Sequence, residues 1–116
     1  MNWSTTKLVV MQKLFTYGSL QHQDVQEDLF GRILKGTAET LIGYIVKYIQ
    51  IEEEFGLIDY PIIVETKNPE NTIQGIVYEV STTELRQADR YEGKHYKRVE
   101  VLLQSNQKAW AYSLAM

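Results

Sequence analysis

Leu14-Phe15-Thr16-Tyr17-Gly18-Ser19-Leu20 is the stretch on which the fold turns. Leu14, Phe15 and Tyr17 form a strand-like run, and Gly18-Ser19 breaks it into a turn whose backbone N–H groups and hydroxyl can face a ligand. Most such turns only reverse the chain, so a site here requires a chemically suitable partner elsewhere. Working outward, the first strand is expected over Lys13 to Tyr17, joined or preceded by Leu8, Val9, Val10 and Met11, with Met1 to Thr6 as a polar, frayed leader. On the other side, His22 to Phe30 carries Val25, Leu29 and Phe30 at near-helical spacing before Gly31. That pattern predicts a short surface helix, with a loop as the competing reading.

Beyond the helix, Gly36 to Ile51 is rich in Thr, Ile, Val and Tyr, which favours one bent strand or two strands meeting near Gly43. Glu52-Glu53-Glu54 reads as a solvated acidic face, and Phe55-Gly56-Leu57-Ile58 as a turn with an apolar return toward the core. Tyr60-Pro61 introduces a strand at Ile62 to Val64, and Ile73 to Val80 is another, in which Gly75 permits a bulge, a close backbone approach or an edge irregularity. The last strands are expected at Tyr96 to Leu103 and Lys108 to Leu114. In a regular final strand Trp110 and Tyr112 share one face, and Ala109 and Ala111 the other. Strands alternating with two short helices favour an α+β domain, a compact mixed β-barrel with short flanking helices, over a parallel doubly wound sheet.

At 116 residues the chain suits one hydrophobic core, so one domain is expected over residues 1–116. The net charge of −3, from 12 basic and 15 acidic side chains, offers no broad cationic field for phosphate backbones, so nucleic acid is not an expected partner. No cysteine is present, which removes disulfide and thiolate chemistry, and two separated histidines give little basis for a zinc site. Neither a metal nor an organic cofactor is expected. No signal-peptide pattern and no apolar span of roughly 18 to 20 residues is found, so no membrane partner and a cytoplasmic location are expected.

The partner for the Gly18-Ser19 turn is sought on the second helix. Ser81-Thr82-Thr83-Glu84 has capping-box spacing and starts it, Gly93 can end it, and Leu85, Ala88 and Glu92 fall on one face. Glu92 therefore stands beside apolar residues at the unfavourable end of a helix dipole, two effects that favour the neutral carboxyl and make its ionised form a stronger proton acceptor. It is a candidate general base. The bland alternative is a solvent-exposed residue at a helix end.

The combined pattern resembles the gamma-glutamylcyclotransferase-like family, including its AIG2-like branch. The resemblance is carried by F-T-Y-G-S-L at Phe15 to Leu20, Y-P-I-I-V at Tyr60 to Val64 and G-I-V-Y-E-V at Gly75 to Val80. It continues in A-D-R-Y-E-G and H-Y-K-R-V-E-V between Ala88 and Val101. It implies that Glu92 is the catalytic acid and that Tyr17, Gly18, Ser19 and Leu20 contribute to the ligand pocket, with Tyr60 and Pro61 at its entrance and Tyr96 as a further pocket residue. It also implies a reaction in which a free γ-glutamyl amino group attacks its own γ-carbonyl, giving 5-oxoproline and releasing the attached amine. The implied partner is a small anionic γ-glutamyl substrate. The alternatives are a catalytically weak binding protein of the same fold and an enzyme acting on a specialised amide. Tyr96, Trp110 and Tyr112 either wall the pocket or pack the sheet, and Asp89 is either an influence on Glu92 or an exposed helix-face charge. Lys97 and Arg98 either attract the substrate or occupy a half-exposed strand. Oligomeric state is left open.

Overall fold

The computed structural model describes residues 10–115; the expected leader at Met1 to Thr6, with Leu8 and Val9, lies outside them. Seven strands and two α-helices follow in the order β1 (Met11–Thr16), α1 (Gln23–Phe30), β2 (Gly36–Ile42), β3 (Tyr44–Glu53), β4 (Gly56–Glu65), β5 (Thr72–Ser81), α2 (Thr82–Glu92), β6 (Tyr96–Leu102) and β7 (Lys108–Leu114). A 3-10 turn over Ser19–Gln21 joins β1 to α1. Five strands form a sheet in the order β2-β5-β1-β7-β6, while β3 and β4 pair with each other as a separate ribbon. All pairings in the large sheet are antiparallel except β1 with β7, where Leu14 lies opposite Trp110.

Alternation along the central strands sorts the core into two layers, because successive side chains of a strand leave opposite faces. Phe15, Val77, Ala109 and Ala111 join Leu41, Ile63, Ile73, Val101 and Leu103 on the face covered by the ribbon. Leu14, Tyr78, Val80 and Tyr112 face the helices, where Leu20, Leu34, Leu85 and Ala88 meet them. The expected opposition of Trp110 and Tyr112 to Ala109 and Ala111 is thus observed. The barrel is met only in its coarser form, a mixed sheet with flanking helices. The edges β2 and β6 approach at a single bridge, Leu41 to Leu103, beside a Gln104 N–H bond to the Thr40 carbonyl of 2.9 Å.

Gly43 settles the question of one strand or two. Its φ of 83° lies in the left-handed region, so β2 ends and β3 begins there. Gly75 serves a close approach: a Cβ at that position would run into the Thr16 carbonyl and the Phe15 ring. The end of β1 can therefore settle against β5 just before the chain turns at Gly18. The capping box forms as its spacing predicts, with Ser81 Oγ accepting from the Glu84 N–H at 3.1 Å and Glu84 Oε1 from the Ser81 N–H at 2.9 Å.

Two expectations are corrected. Tyr17 lies beyond β1, which ends at Thr16, so its side chain is freed from the strict alternation of the sheet. Phe55, Leu57 and Ile58 do not return to the core; Phe55 is 95% exposed at the tip of the β3–β4 ribbon, and Leu57 and Ile58 are exposed beside it. Ten paired residues a side carry that tip beyond the layer it covers, and burial resumes only at Ile62 and Ile63. Among the described residues no helix is long and apolar enough to cross a membrane.

Candidate functional site

A cavity of about 280 Å³ opens where the C-terminal end of β1, the C-terminal end of α2 and the start of β6 converge. Tyr17, Gly18, Ser19, Leu20, Tyr60, Tyr96 and Glu92, the residues expected from the sequence, all line it. Phe15, Thr16, Pro61, Tyr91 and Tyr112 complete the wall. Trp110 does not. Its indole N–H donates to Gln12 Oε1 at 2.9 Å, and its ring lies 4.5 Å from the Arg98 guanidinium carbon. Lys97 and Arg98 are likewise absent from the lining, so none of the described residues places a cationic side chain there.

Glu92 reaches the cavity because α2 starts at a fixed residue and buries the face it shares with Leu85 and Ala88, both almost completely inaccessible. Burial pushes the Glu92 carboxyl from its ordinary value of 4.5 up to about 7. Among the described residues no side chain hydrogen-bonds this carboxyl, so nothing offsets the lost hydration of the charged form. Tyr17, Tyr96 and Tyr112 are all close enough for a Glu92 carboxylate to disfavour their own ionisation. Tyr96 is pushed up to about 12, chiefly by burial and then by Glu92. Tyr17 and Tyr112 are also raised, burial again leading, and all three remain neutral phenols across the physiological range.

The tyrosines are not interchangeable donors. The Tyr17 hydroxyl donates to the Tyr112 main-chain carbonyl at 2.7 Å, and the Tyr96 hydroxyl to the Pro61 carbonyl at 2.7 Å. With their protons committed, these two oxygens meet a ligand as acceptors. Ser19 Oγ and the Tyr91 hydroxyl lie 2.7 Å apart, and because one proton serves that bond, the pair keeps a second proton for donation. Tyr60 donates to Glu53 Oε1 at 2.8 Å and sets its ring edge-on to Tyr96, with centroids 6.4 Å apart, which brings the ribbon to the cavity mouth.

The turn itself is pinned from behind. Gln21 Nε2 donates to the Thr16 carbonyl at 2.9 Å, and the 3-10 turn leaves the Ser19 and Leu20 N–H groups without acceptors inside it. Gln26, only 1% exposed, donates to the Leu20 carbonyl at 2.8 Å and accepts the Leu34 N–H at 2.9 Å. Sequence reasoning missed Gln26 and Tyr91. Gln26 sits in a polar helix that reads as surface, and Tyr91 differs from its neighbours only by standing next to Glu92. Among the described residues no group of three or more His, Cys, Asp or Glu is placed to hold a metal ion.

The arrangement is a cavity whose wall combines the desolvated Glu92 carboxyl, the phenolic acceptors of Tyr17 and Tyr96, and the Gly18-Ser19-Leu20 turn. A family model described as gamma-glutamyl cyclotransferase, AIG2-like, matches residues 14–116. Among solved structures the chain is similar to the Arabidopsis thaliana protein At3g28950.1, with 26% identity and a TM-score of 0.68 over 96% of this chain and 66% of that one. Arabidopsis thaliana At5g39720.1 gives 26% identity and a TM-score of 0.67 over 90% of this chain and 68% of that one. A structure named gamma-glutamyl cyclotransferase shares the fold at 15% identity and a TM-score of 0.65, over 91% of this chain and 68% of that one. The chain thus spans about two thirds of the length of these structures. No curated protein matches it in sequence.

Proposed function

Because the chain belongs to the AIG2-like gamma-glutamyl cyclotransferase family, we propose that it cyclises a γ-glutamyl amine or small γ-glutamyl peptide to 5-oxoproline, releasing the attached amine. The observation that carries this reading is the Glu92 carboxyl, desolvated and raised to about 7, in the same cavity as the Tyr17-Gly18-Ser19-Leu20 turn. A carboxyl titrating near neutrality takes and returns protons more effectively at that pH than one of ordinary acidity.

In the proposed complex the substrate ammonium faces Glu92 and the acceptor oxygens of Tyr17 and Tyr96. Its α-carboxylate and γ-carbonyl face the backbone N–H groups of Gly18 and Leu20 and the spare proton of the Ser19–Tyr91 pair. Donors fixed by the fold are the means available for that anionic end, since no cation among the described residues lines the cavity. Glu92 removes a proton from the ammonium, and the freed nitrogen attacks the γ-carbonyl carbon. A ring C–N bond forms, and the amide N–H groups stabilise the negative charge on oxygen. Protonated Glu92 delivers that proton to the departing nitrogen as the old amide C–N bond breaks, and the regenerated carboxylate then takes the second surplus proton from the ring nitrogen and passes it to the released amine or to water. The products are 5-oxoproline and the free amine. Holding the γ-glutamyl group curled, with its amino nitrogen beside the γ-carbonyl carbon, is where proximity contributes most to an intramolecular reaction.

Incubation with a panel of γ-glutamyl amides, resolving products by mass spectrometry, tests the reading. The expected result is 5-oxoproline and amine in equal amounts from at least one member, and loss of about 10²–10⁴ in rate in folded Glu92→Gln. Product release unchanged by that substitution would overturn it.

A further inference from the structure

We propose that Asp89 is a positioning residue for this reaction, holding the last turn of α2, and with it Glu92, against the wall that carries Tyr112 and the Tyr17 turn. The inference rests on the cyclotransferase reading of the cavity. It starts from an acid that does not line the cavity and would pass for an ordinary helix-face charge.

Asp89 stands three residues before Glu92 on α2, and its main-chain carbonyl accepts the Gly93 N–H that ends the helix, at 3.1 Å. Both carboxylate oxygens are engaged. Oδ1 accepts the Tyr112 hydroxyl at 2.7 Å and Arg98 Nε at 2.8 Å, and Oδ2 accepts Arg98 Nη2 at 3.1 Å. The two-pronged guanidinium contact fixes direction as well as charge. Arg98 on β6 is itself held over the Trp110 ring of β7. Burial pushes the Asp89 carboxyl up, but the Arg98 and Tyr112 bonds outweigh it and bring it below the usual range, so the anion persists at working pH.

Tyr112 is the link to the substrate side. Its ring, 4% exposed in total, forms part of the cavity wall, and its main-chain carbonyl is the acceptor for Tyr17. One residue of β7 thus meets the Glu92 helix with its side chain and the turn with its backbone. The second tie, from Tyr91 to Ser19, is made by the residue immediately before Glu92 in sequence. Positions 89 and 91 therefore fasten the last turn of α2 to the same turn at Tyr17 and Ser19. A displacement of about 1 Å between reacting groups costs on the order of 10² in rate, so a device that fixes this separation acts on turnover.

The test uses the full chain and three variants: Asp89→Asn, Tyr112→Phe and the pair together. Steady-state 5-oxoproline formation is measured alongside the Glu92 carboxyl titration, followed by ¹³C NMR. The other titratable groups facing Glu92 are the phenols of Tyr17, Tyr96 and Tyr112, which stay neutral through the range scanned. Expected is a kcat lowered about 10- to 100-fold by Asp89→Asn with KM little changed, and a smaller fall for Tyr112→Phe. The double variant should lose less than the product of the two single losses, because Asp89 and Tyr112 act through the contact they share. The Glu92 midpoint should move down from about 7 in each as water reaches the carboxyl. Folded variants with wild-type kcat and an unmoved midpoint would overturn the proposal, as would strictly multiplicative losses in the double variant. Should Asp89→Asn fail to fold, Tyr112→Phe carries both readouts. Absence of turnover by the wild-type protein counts against the cyclotransferase reading instead, and the NMR midpoint then decides on Asp89 alone.

Discussion

Glu92 carries an energetic cost as well as a proposed function. Its carboxyl titrates at 4.5 when unperturbed and at about 7 in the fold, so between those values the folded chain holds more protons than the unfolded one. Stability therefore falls as pH rises through that window and levels off above it. Glu92→Gln removes the penalty. Urea denaturation should show the variant equal to wild type near pH 4 and more stable at pH 8, by about 1–3 kcal/mol. A variant less stable at pH 8 would mean that the carboxylate has a stabilising partner. That Glu92 shares the buried face of α2 was legible in the sequence, because a capping box fixes where a helix begins and the spacing to Leu85 and Ala88 fixes which face is buried, whereas its place beside the Tyr17 turn was implied by the family resemblance. The direction in which Tyr17 uses its hydroxyl was not legible, since the acceptor is a carbonyl 95 residues away.

At the scale of elements, the short α1 helix shows how a polar residue can be structural. Gln26 is buried with both ends of its amide bonded, one to the Leu20 carbonyl of the turn and one to the Leu34 N–H. Replacing it with Leu strands a buried acceptor and a buried donor, a cost of about 2–4 kcal/mol. A urea midpoint lowered accordingly is expected, and an unchanged midpoint would show that water or a shifted backbone replaces both bonds. Nothing in Gln23–Phe30 distinguishes Gln26 from Gln23, because helical spacing reports the apolar stripe and is silent on a buried amide. The strands were more legible: β2, β5, β6 and β7 lie within a residue or two of their expected limits. Their short runs of β-branched and aromatic residues, bounded by Gly, Asn and Ser turns, mark strands even in a sheet covered on both faces, where polar alternation is weak.

Over the whole molecule, the β3–β4 ribbon is where apolar composition misled. Phe55, Leu57 and Ile58 have the character of core residues, yet pairing from Tyr44 to Glu65 carries them past the layer that Ile62 and Ile63 enter. Composition records polarity but not distance from the core. Phe55→Ser should accordingly leave the thermal unfolding free energy within about 0.5 kcal/mol of wild type, and a larger loss would place the side chain in a contact. The base of the ribbon matters more, since Tyr60 and Pro61 bring it to the cavity mouth and Tyr96 bonds the Pro61 carbonyl. Sheet, helices and ribbon thus each contribute one side of a single cavity. The most direct measurement of the central claim, that Glu92 is the base acting on a γ-glutamyl group held by the Tyr17 turn, is the pH dependence of kcat/KM for 5-oxoproline formation. Expected are a rise of about tenfold per pH unit below a midpoint near 7, a plateau above it, and disappearance of the rise in Glu92→Gln. A profile flat from pH 5 to 8, or one that Glu92→Gln leaves intact, would contradict it.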